Sequence, residues 1–246
     1  MRGVLYVSHG SRVPDAVNEA KAFIDLVKVQ VDVALQETCF LELTSPDLSQ
    51  GFQSLVDKGA TEISVIPVLL LSAGHYFKDI PSEIERNQQK HPNVHVTYGE
   101  PLGVQPRLTE ILKQRIETSG VTPNSDAKVL IIGRGSYNPQ TQIDVETIKS
   151  QLQEQTGFKD IETCYLAACK PSFEEALHNA VHSECSQIYV VPYIWFTGIL
   201  DQQISKKIVE YEDDKEIILC KRLGNHKHLQ DALKDRVEET FEYVTQ

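Results

Sequence analysis

The strongest constraint on this fold is that the chain repeats itself. Val4-Leu5-Tyr6-Val7-Ser8-His9-Gly10-Ser11 recurs as Val129-Leu130-Ile131-Ile132-Gly133-Arg134-Gly135-Ser136, 125 positions later. At the same offset Glu37-Thr38-Cys39-Phe40-Leu41 matches Glu162-Thr163-Cys164-Tyr165-Leu166, Pro46 matches Pro171, and Ile63-Ser64-Val65-Ile66-Pro67 matches Ile188-Tyr189-Val190-Val191-Pro192. A register held through three separated segments identifies a duplicated fold. A length of 246 residues accommodates two domains of roughly 120 residues. The expected division is 1–121 and 122–246, with the polar stretch Thr122 to Ala127 as linker.

Each copy alternates strand and helix. Val4 to Val7 is a β-branched and aromatic run entering a turn at Gly10-Ser11. An amphipathic helix is expected from Pro14 to about Gln30, a strand from Glu37 to Leu43, and a helix opened by Ser45-Pro46 that runs through Lys58 to the stop signal Gly59. Glu62 to Leu71 is nearly uninterrupted apolar sequence, as a central parallel strand covered on both faces requires. A helix over Lys78–Lys90, a strand over Val94–Tyr98 and a helix from Gln105 to about Thr118 complete the copy. The second copy reads as strands 128–133, 161–167, 187–196 and 216–220, with helices 140–154, 172–184, 202–212 and 227–244. The expected class is α/β: two duplicated doubly wound domains, each a parallel four-stranded sheet flanked by helices, facing each other across a cleft.

Charge and cysteine usage narrow the function. A net charge of −11 argues against a nucleic-acid binder and against an anionic membrane surface. No apolar run approaches the ~18 residues of a spanning helix, and a strand occupies the place of a signal peptide's charged and apolar regions. A cytoplasmic protein is expected. The five cysteines, Cys39, Cys164, Cys169, Cys185 and Cys220, are odd in number and contain no CxxC pair, which argues against disulfides. Cys39 and Cys164 occupy equivalent strand positions and read as core. Cys164 and Cys169 lack the partners a metal site needs.

The duplication also supplies an internal comparison. Groups common to both copies belong to the fold, whereas polar groups present in one copy only are candidates for chemistry. His9 is replaced by Arg134, Glu42 by Ala167 and His75 by Leu200. All three are expected at or just beyond carboxyl ends of the first three strands, Glu42 still within its strand. In a 2-1-3-4 strand order the second and third strands flank the first, and neighbours ~4.8 Å apart bring the three side chains to one point. Two imidazoles and a carboxylate form an open site for Fe, Co, Ni or Zn. His178 and His182 are spaced i, i+4 on an expected helix and could chelate a metal, but the metalloprotease glutamate between them is missing and a solvated face is the simpler assignment. His226 and His228 precede the last helix and are expected near the inter-domain cleft. Ser8-His9-Gly10-Ser11 is no nucleophile elbow, and Gly133-Arg134-Gly135 lacks the third glycine of a dinucleotide loop.

With these residues in view, the chain resembles the class II chelatases of the sirohydrochlorin ferrochelatase and cobaltochelatase family. The resemblance is carried by Leu5-Tyr6-Val7-Ser8-His9-Gly10-Ser11-Arg12, by Phe40-Leu41-Glu42, and by Val65 to His75 followed by Asp79-Ile80-Pro81. It implies metal binding and catalysis by His9 and His75, with Glu42 as the acidic member. The double length, with ligands in the N-terminal half alone, looks most like the ferrochelatases of bacilli that make sirohaem. Fe²⁺ would then be a substrate, Co²⁺ a possible one, and no cofactor is permanently bound. The histidine-rich run and C-terminal cysteine cluster of the longer cobalt enzymes are missing, so no iron–sulfur centre is expected.

The resemblance also implies a partner, sirohydrochlorin, whose eight carboxylates must be met by a protein of net negative charge. Ser11, Arg12, Lys78 and Arg134 are the expected substrate-binding residues, with Lys206 a further cation, because they follow strand ends or open helices where backbone N–H groups also favour anions. Insertion must remove two pyrrole protons, and a neutral imidazole suits both ligation and proton acceptance. The alternatives are a cobaltochelatase and, from another class, a metallochaperone or two-lobed receptor that binds without turnover.

Overall fold

The computed structural model describes residues 1–211 and 215–242, without the side chain of Glu242. In chain order the regular elements are β1 (Arg2–Ser8), α1 (Pro14–Lys28), β2 (Leu35–Phe40), α2 (Leu48–Asp57), β3 (Glu62–Pro67), a π-helical turn (His75–Asp79), α3 (Ile80–Lys90), β4 (His95–Tyr98) and α4 (Pro106–Glu117). The second set is β5 (Lys128–Gly133), α5 (Gln140–Thr156), β6 (Asp160–Tyr165), α6 (Phe173–Val181), β7 (Gln187–Pro192), α7 (Ile199–Val209), β8 (Glu216–Leu219) and α8 (Lys227–Glu242). Two parallel sheets result, ordered β2-β1-β3-β4 and β6-β5-β7-β8. This is the α/β architecture expected of each copy, and the first sheet has the 2-1-3-4 order on which convergence of the three side chains depends.

The central strands are apolar on both faces because helices cover both. Leu5 and Val7 of β1 join Cys39, Phe52, Leu55, Ile80 and Ile84 in a core under α2 and α3. Val4 and Tyr6, equally buried, point the other way, and the Tyr6 hydroxyl donates to Gln36 Oε1 at 2.9 Å. In the second sheet Leu130 and Ile132 pack with Cys164, Leu177, Ile204 and Ile208 beneath α6 and α7. Burial drives the thiols of Cys39 and Cys164 well above their ordinary range, and that of Cys220 up to about 12. These cysteines are core residues.

Hydrogen bonding ends several elements earlier than hydrophobicity does. β2 stops at Phe40, so Glu42 lies in the following loop and not in the strand. β3 stops at Pro67, its last residue paired with β1, opposite Val7. Val68 to Leu71 then runs as irregular backbone, its carbonyls at Leu69 and Leu70 accepting from Leu102 and Gly103. β7 likewise ends at Pro192. Ser45-Pro46 does not open α2; Asp47 is its N-cap, in a capping box with Gln50. α7 begins at Ile199, three residues before its expected start. The last helix was expected to reach residue 244, and its final two residues lie outside the described chain.

Packing divides the chain differently from repetition. One compact unit comprises Met1–Gly103 with Lys227–Gln246, the other Val104–His226. The boundary expected at 121/122 is therefore not the packing boundary, because each repeat gives up its last helix. In the second unit α4 buries Leu108, Ile111, Leu112 and Ile116, and Thr109 Oγ1 donates to Gln151 Oε1 of α5 at 2.7 Å. Arg115 donates to the carbonyls of Arg222 and Leu223. In the first unit α8 buries Leu229, Ala232, Leu233 and Val237, and Thr240 Oγ1 meets Ser64 Oγ of β3 at 2.8 Å.

Candidate metal centre

His9 directly follows β1, and its backbone is tied to the loop after β2. The amide of Leu41 donates to the Ser8 carbonyl at 2.9 Å, and that of Glu42 to the His9 carbonyl at 3.1 Å. Gly10 makes this crossing possible. At φ +92° a Cβ there would lie 1.9 Å from the Glu42 carbonyl oxygen, so only glycine fits. The second unit repeats the crossing: Ala167 donates to the Arg134 carbonyl, and Gly135, at φ +85°, would place a Cβ 1.8 Å from the Ala167 oxygen. The turn therefore belongs to the fold. The side chains it carries differ between the units.

His75 opens the π-helical turn after the β3 loop. Its Nδ1 lies 2.7 Å from Asp79 Oδ2, and a carboxylate partner makes Nδ1 the protonated nitrogen and leaves Nε2 with its lone pair. The extra residue of a π turn is a recurrent device for aiming a side chain at a functional site. β4 anchors the turn, since the Tyr98 hydroxyl donates to the Tyr76 carbonyl at 3.0 Å and the two rings stack 5.1 Å apart.

The three expected residues converge. His9 Nε2 is 3.5 Å from Glu42 Oε1, the His9 and His75 rings are 4.7 Å apart between centroids, and one donor atom from each of His9, Glu42 and His75 lies within 4.8 Å of the others. Metal bonds of ~2.1 Å separate adjacent donors by ~3.0–3.4 Å, so the 3.5 Å His9–Glu42 separation already suits one ion. Both histidines are half-buried while Glu42 is exposed, which leaves a face open for further ligands. Among the described residues no other group of three such donors converges. Arg134, Ala167 and Leu200 stand at the corresponding positions of the second unit.

The expected substrate-binding residues are less uniform. The Ser11 hydroxyl accepts from the Val13 amide at 3.0 Å, and its backbone is latched to Thr44 Oγ1 through both N–H and carbonyl. In the second unit Ser136 accepts from the Asn138 amide, and Cys169 replaces Thr44 as the latch. Ser11 and Cys169 thus shape loops. Arg12, Lys78, Arg134 and Lys206 are exposed, and among the described residues none forms an ion pair. His226 is held by Gln114 at 2.9 Å. Two exposed apolar residues not singled out by sequence neighbour the donors along the chain: Leu43, directly after Glu42, 53% exposed and at φ +63°, and Phe77, two residues after His75 and 56% exposed. Asp79, the partner of His75, stands at i+4 from it, a spacing the sequence itself displays.

The chain is similar to known proteins along almost its whole length. The profile of the family described as CbiX matches residues 3–119 and again 128–240. A sirohydrochlorin ferrochelatase of Priestia megaterium is 43% identical over 239 residues, covering 97% of this chain and 90% of that protein. A sirohydrochlorin cobaltochelatase of the same organism is 37% identical, covering 98% of this chain and 81% of that protein. The structure of SirB from Bacillus subtilis with Fe³⁺ superposes with a TM-score of 0.89 at 38% identity, covering 97% of this chain and 95% of that one.

Proposed function

The chain belongs to the CbiX family, and from that premise we propose a sirohydrochlorin ferrochelatase with His9, Glu42 and His75 as the metal-handling residues. The observation that carries the reading is the convergence of their donor atoms within 4.8 Å at the carboxyl edge of the first sheet. Fe²⁺ enters as a substrate and exchanges water for imidazole and carboxylate donors, a set suited to borderline first-row ions.

Asp79 keeps His75 in the tautomer that offers Nε2 to the metal. Metal insertion forms four metal–nitrogen bonds and releases two pyrrole protons. His9 and Glu42, 3.5 Å apart, are the acceptors proposed for those protons. The exposed Leu43 and Phe77 offer apolar surface to the flat face of the macrocycle, where the ring can lie against the donors without being buried on all sides. Arg12 and Lys78 of the same unit are the cations proposed for substrate carboxylates. Ser11 contributes through its backbone conformation, since its hydroxyl is occupied within the loop.

The relationship to a cobaltochelatase at 37% identity favours testing Co²⁺ on the same residues. The deciding experiment is an anaerobic initial-rate assay of the sirohydrochlorin absorption change with Fe²⁺ and with Co²⁺, using the wild type and His75→Ala. Accelerated insertion that collapses in the variant supports both the activity and the site. An unaccelerated rate with either metal overturns the enzyme reading, and full activity in His75→Ala overturns the site.

A further inference from the structure

α6 carries a second arrangement of imidazoles, on the face away from the core. His178 lies in its last turn and His182 caps its C-terminus; both are exposed, with ring centroids 4.2 Å apart and planes inclined by 40°. Neither ring is loosely held. His182 Nδ1 lies 2.8 Å from the His178 carbonyl, and a carbonyl can only accept. His182 is therefore protonated at Nδ1 and carries its lone pair on Nε2. His178 Nδ1 lies 3.3 Å from the Tyr211 hydroxyl, a group able to accept from it and leave Nε2 of His178 equally available. Tyr211 also sets its ring edge-on to that imidazole, 6.3 Å away.

The other copy shows that these contacts are not required by the fold. The positions corresponding to His178 and His182 are Gln53 and Asp57 of α2, which satisfy each other through a 2.7 Å hydrogen bond. Tyr211 corresponds to Arg86, which pairs with Glu83 of its own helix. The second unit has replaced a closed side-chain pair with two imidazoles whose Nδ1 atoms are bonded and whose Nε2 atoms are not consumed by those bonds. The helix C-terminus adds a negative partial charge that favours a cation at this end.

We propose that His178 and His182 bind one divalent transition-metal ion through their Nε2 atoms, at a site separate from His9, Glu42 and His75. The donor set is two neutral imidazoles, with water completing the coordination. Imidazole at i, i+4 spacing on one helix face selects Ni²⁺, Cu²⁺, Co²⁺ and Zn²⁺ over Mg²⁺ and Ca²⁺. Tyr211 and the His178 carbonyl act as the outer hydrogen-bond partners that orient the rings. The proposal does not depend on the chelatase reading, because every residue it uses lies in the second unit.

Ni²⁺ titration by calorimetry, with the full chain carrying His9→Ala and His75→Ala, isolates this site. One Ni²⁺ per chain is expected, and adding His178→Ala or His182→Ala should weaken it by about tenfold or more. Paramagnetic broadening of amide resonances should be confined to the C-terminal end of α6 and the neighbourhood of Tyr211. No Ni²⁺ binding by the first variant, binding unchanged by loss of either histidine, or broadening centred elsewhere would each overturn the proposal. Both side chains are exposed, so their replacement leaves the core intact, and an unchanged circular-dichroism spectrum verifies this.

Discussion

Replacing Asp79 by alanine tests the metal centre without touching any of its donors. The carboxylate lies 2.7 Å from His75 Nδ1 and so fixes the tautomer that keeps the lone pair on Nε2. Loss of such an outer partner weakens metal binding by about 10–100-fold. Asp79 is 54% exposed, so solvent screens its charge and the lower end applies. The expected loss is about tenfold, or ~1.4 kcal/mol. Asp79→Asn retains an acceptor oxygen but not the charge, and charged hydrogen bonds are roughly twice as strong as neutral ones, so about half that free energy is lost, roughly threefold in affinity. Anaerobic Co²⁺ titration followed by its visible spectrum measures both, and long-range ¹H–¹⁵N correlation of the imidazole reports the tautomer directly. Wild type should show Nδ1–H at His75, and Asp79→Ala should show a mixture. If His75→Ala abolishes binding while Asp79→Ala leaves both affinity and tautomer unchanged, the orienting role is refuted and the ligand assignment survives.

Other expectations follow from the duplicated turn and its surroundings. Gly10→Ala and Gly135→Ala should each destabilise the chain by about 2–4 kcal/mol in urea denaturation, since each new Cβ meets a carbonyl oxygen at under 2 Å on a left-handed backbone; Co²⁺ affinity should fall in Gly10→Ala only, and equal losses would refute the separation of fold from site. Cys169→Thr should change stability by less than about 1 kcal/mol, because Thr44 already makes the corresponding latch on Ser11; a larger loss would show that the two loops differ. Glu175, in the α6 capping box, has its carboxyl held down to about 2, first by Lys170 and then by the Ser172 amide and hydroxyl. A depressed carboxyl stabilises the fold above its ordinary value and loses that contribution as pH falls toward the folded one. The stability difference between wild type and Glu175→Gln should therefore shrink between about pH 4.5 and pH 2, and a difference independent of pH there would refute the assignment.

Much of the centre was legible because the chain contains its own control. His9, Glu42 and His75 stood out by their replacement with Arg134, Ala167 and Leu200 at matched positions; alternation of strand and helix called for a parallel sheet, and the order β2-β1-β3-β4 that brings them together is a finding of the structure. Less was legible where hydrogen bonding departs from hydrophobicity. The apolar run from Glu62 to Leu71 looks like one strand, yet pairing with β1 ends at Pro67 and frees the segment that leads to His75. The pairing of His75 with Asp79 had the right spacing for a helix, but the π turn and its anchor at Tyr98 are tertiary facts.

The sequence by itself determined the duplication, the parallel sheets and the three candidate donors, because periodicity and composition act locally and the repeat compares each position with its twin. Tertiary structure alone decided which sheet each terminal helix covers. The apolar stripes of α4 and α8 say only that each must be buried; α4 meets α5 and β7, while α8 meets α1 and β3, so each repeat is completed by the other's helix. Apolar burial is non-directional and scales with area rather than with order along the chain, so the stripe that specifies a buried face cannot name the surface that buries it.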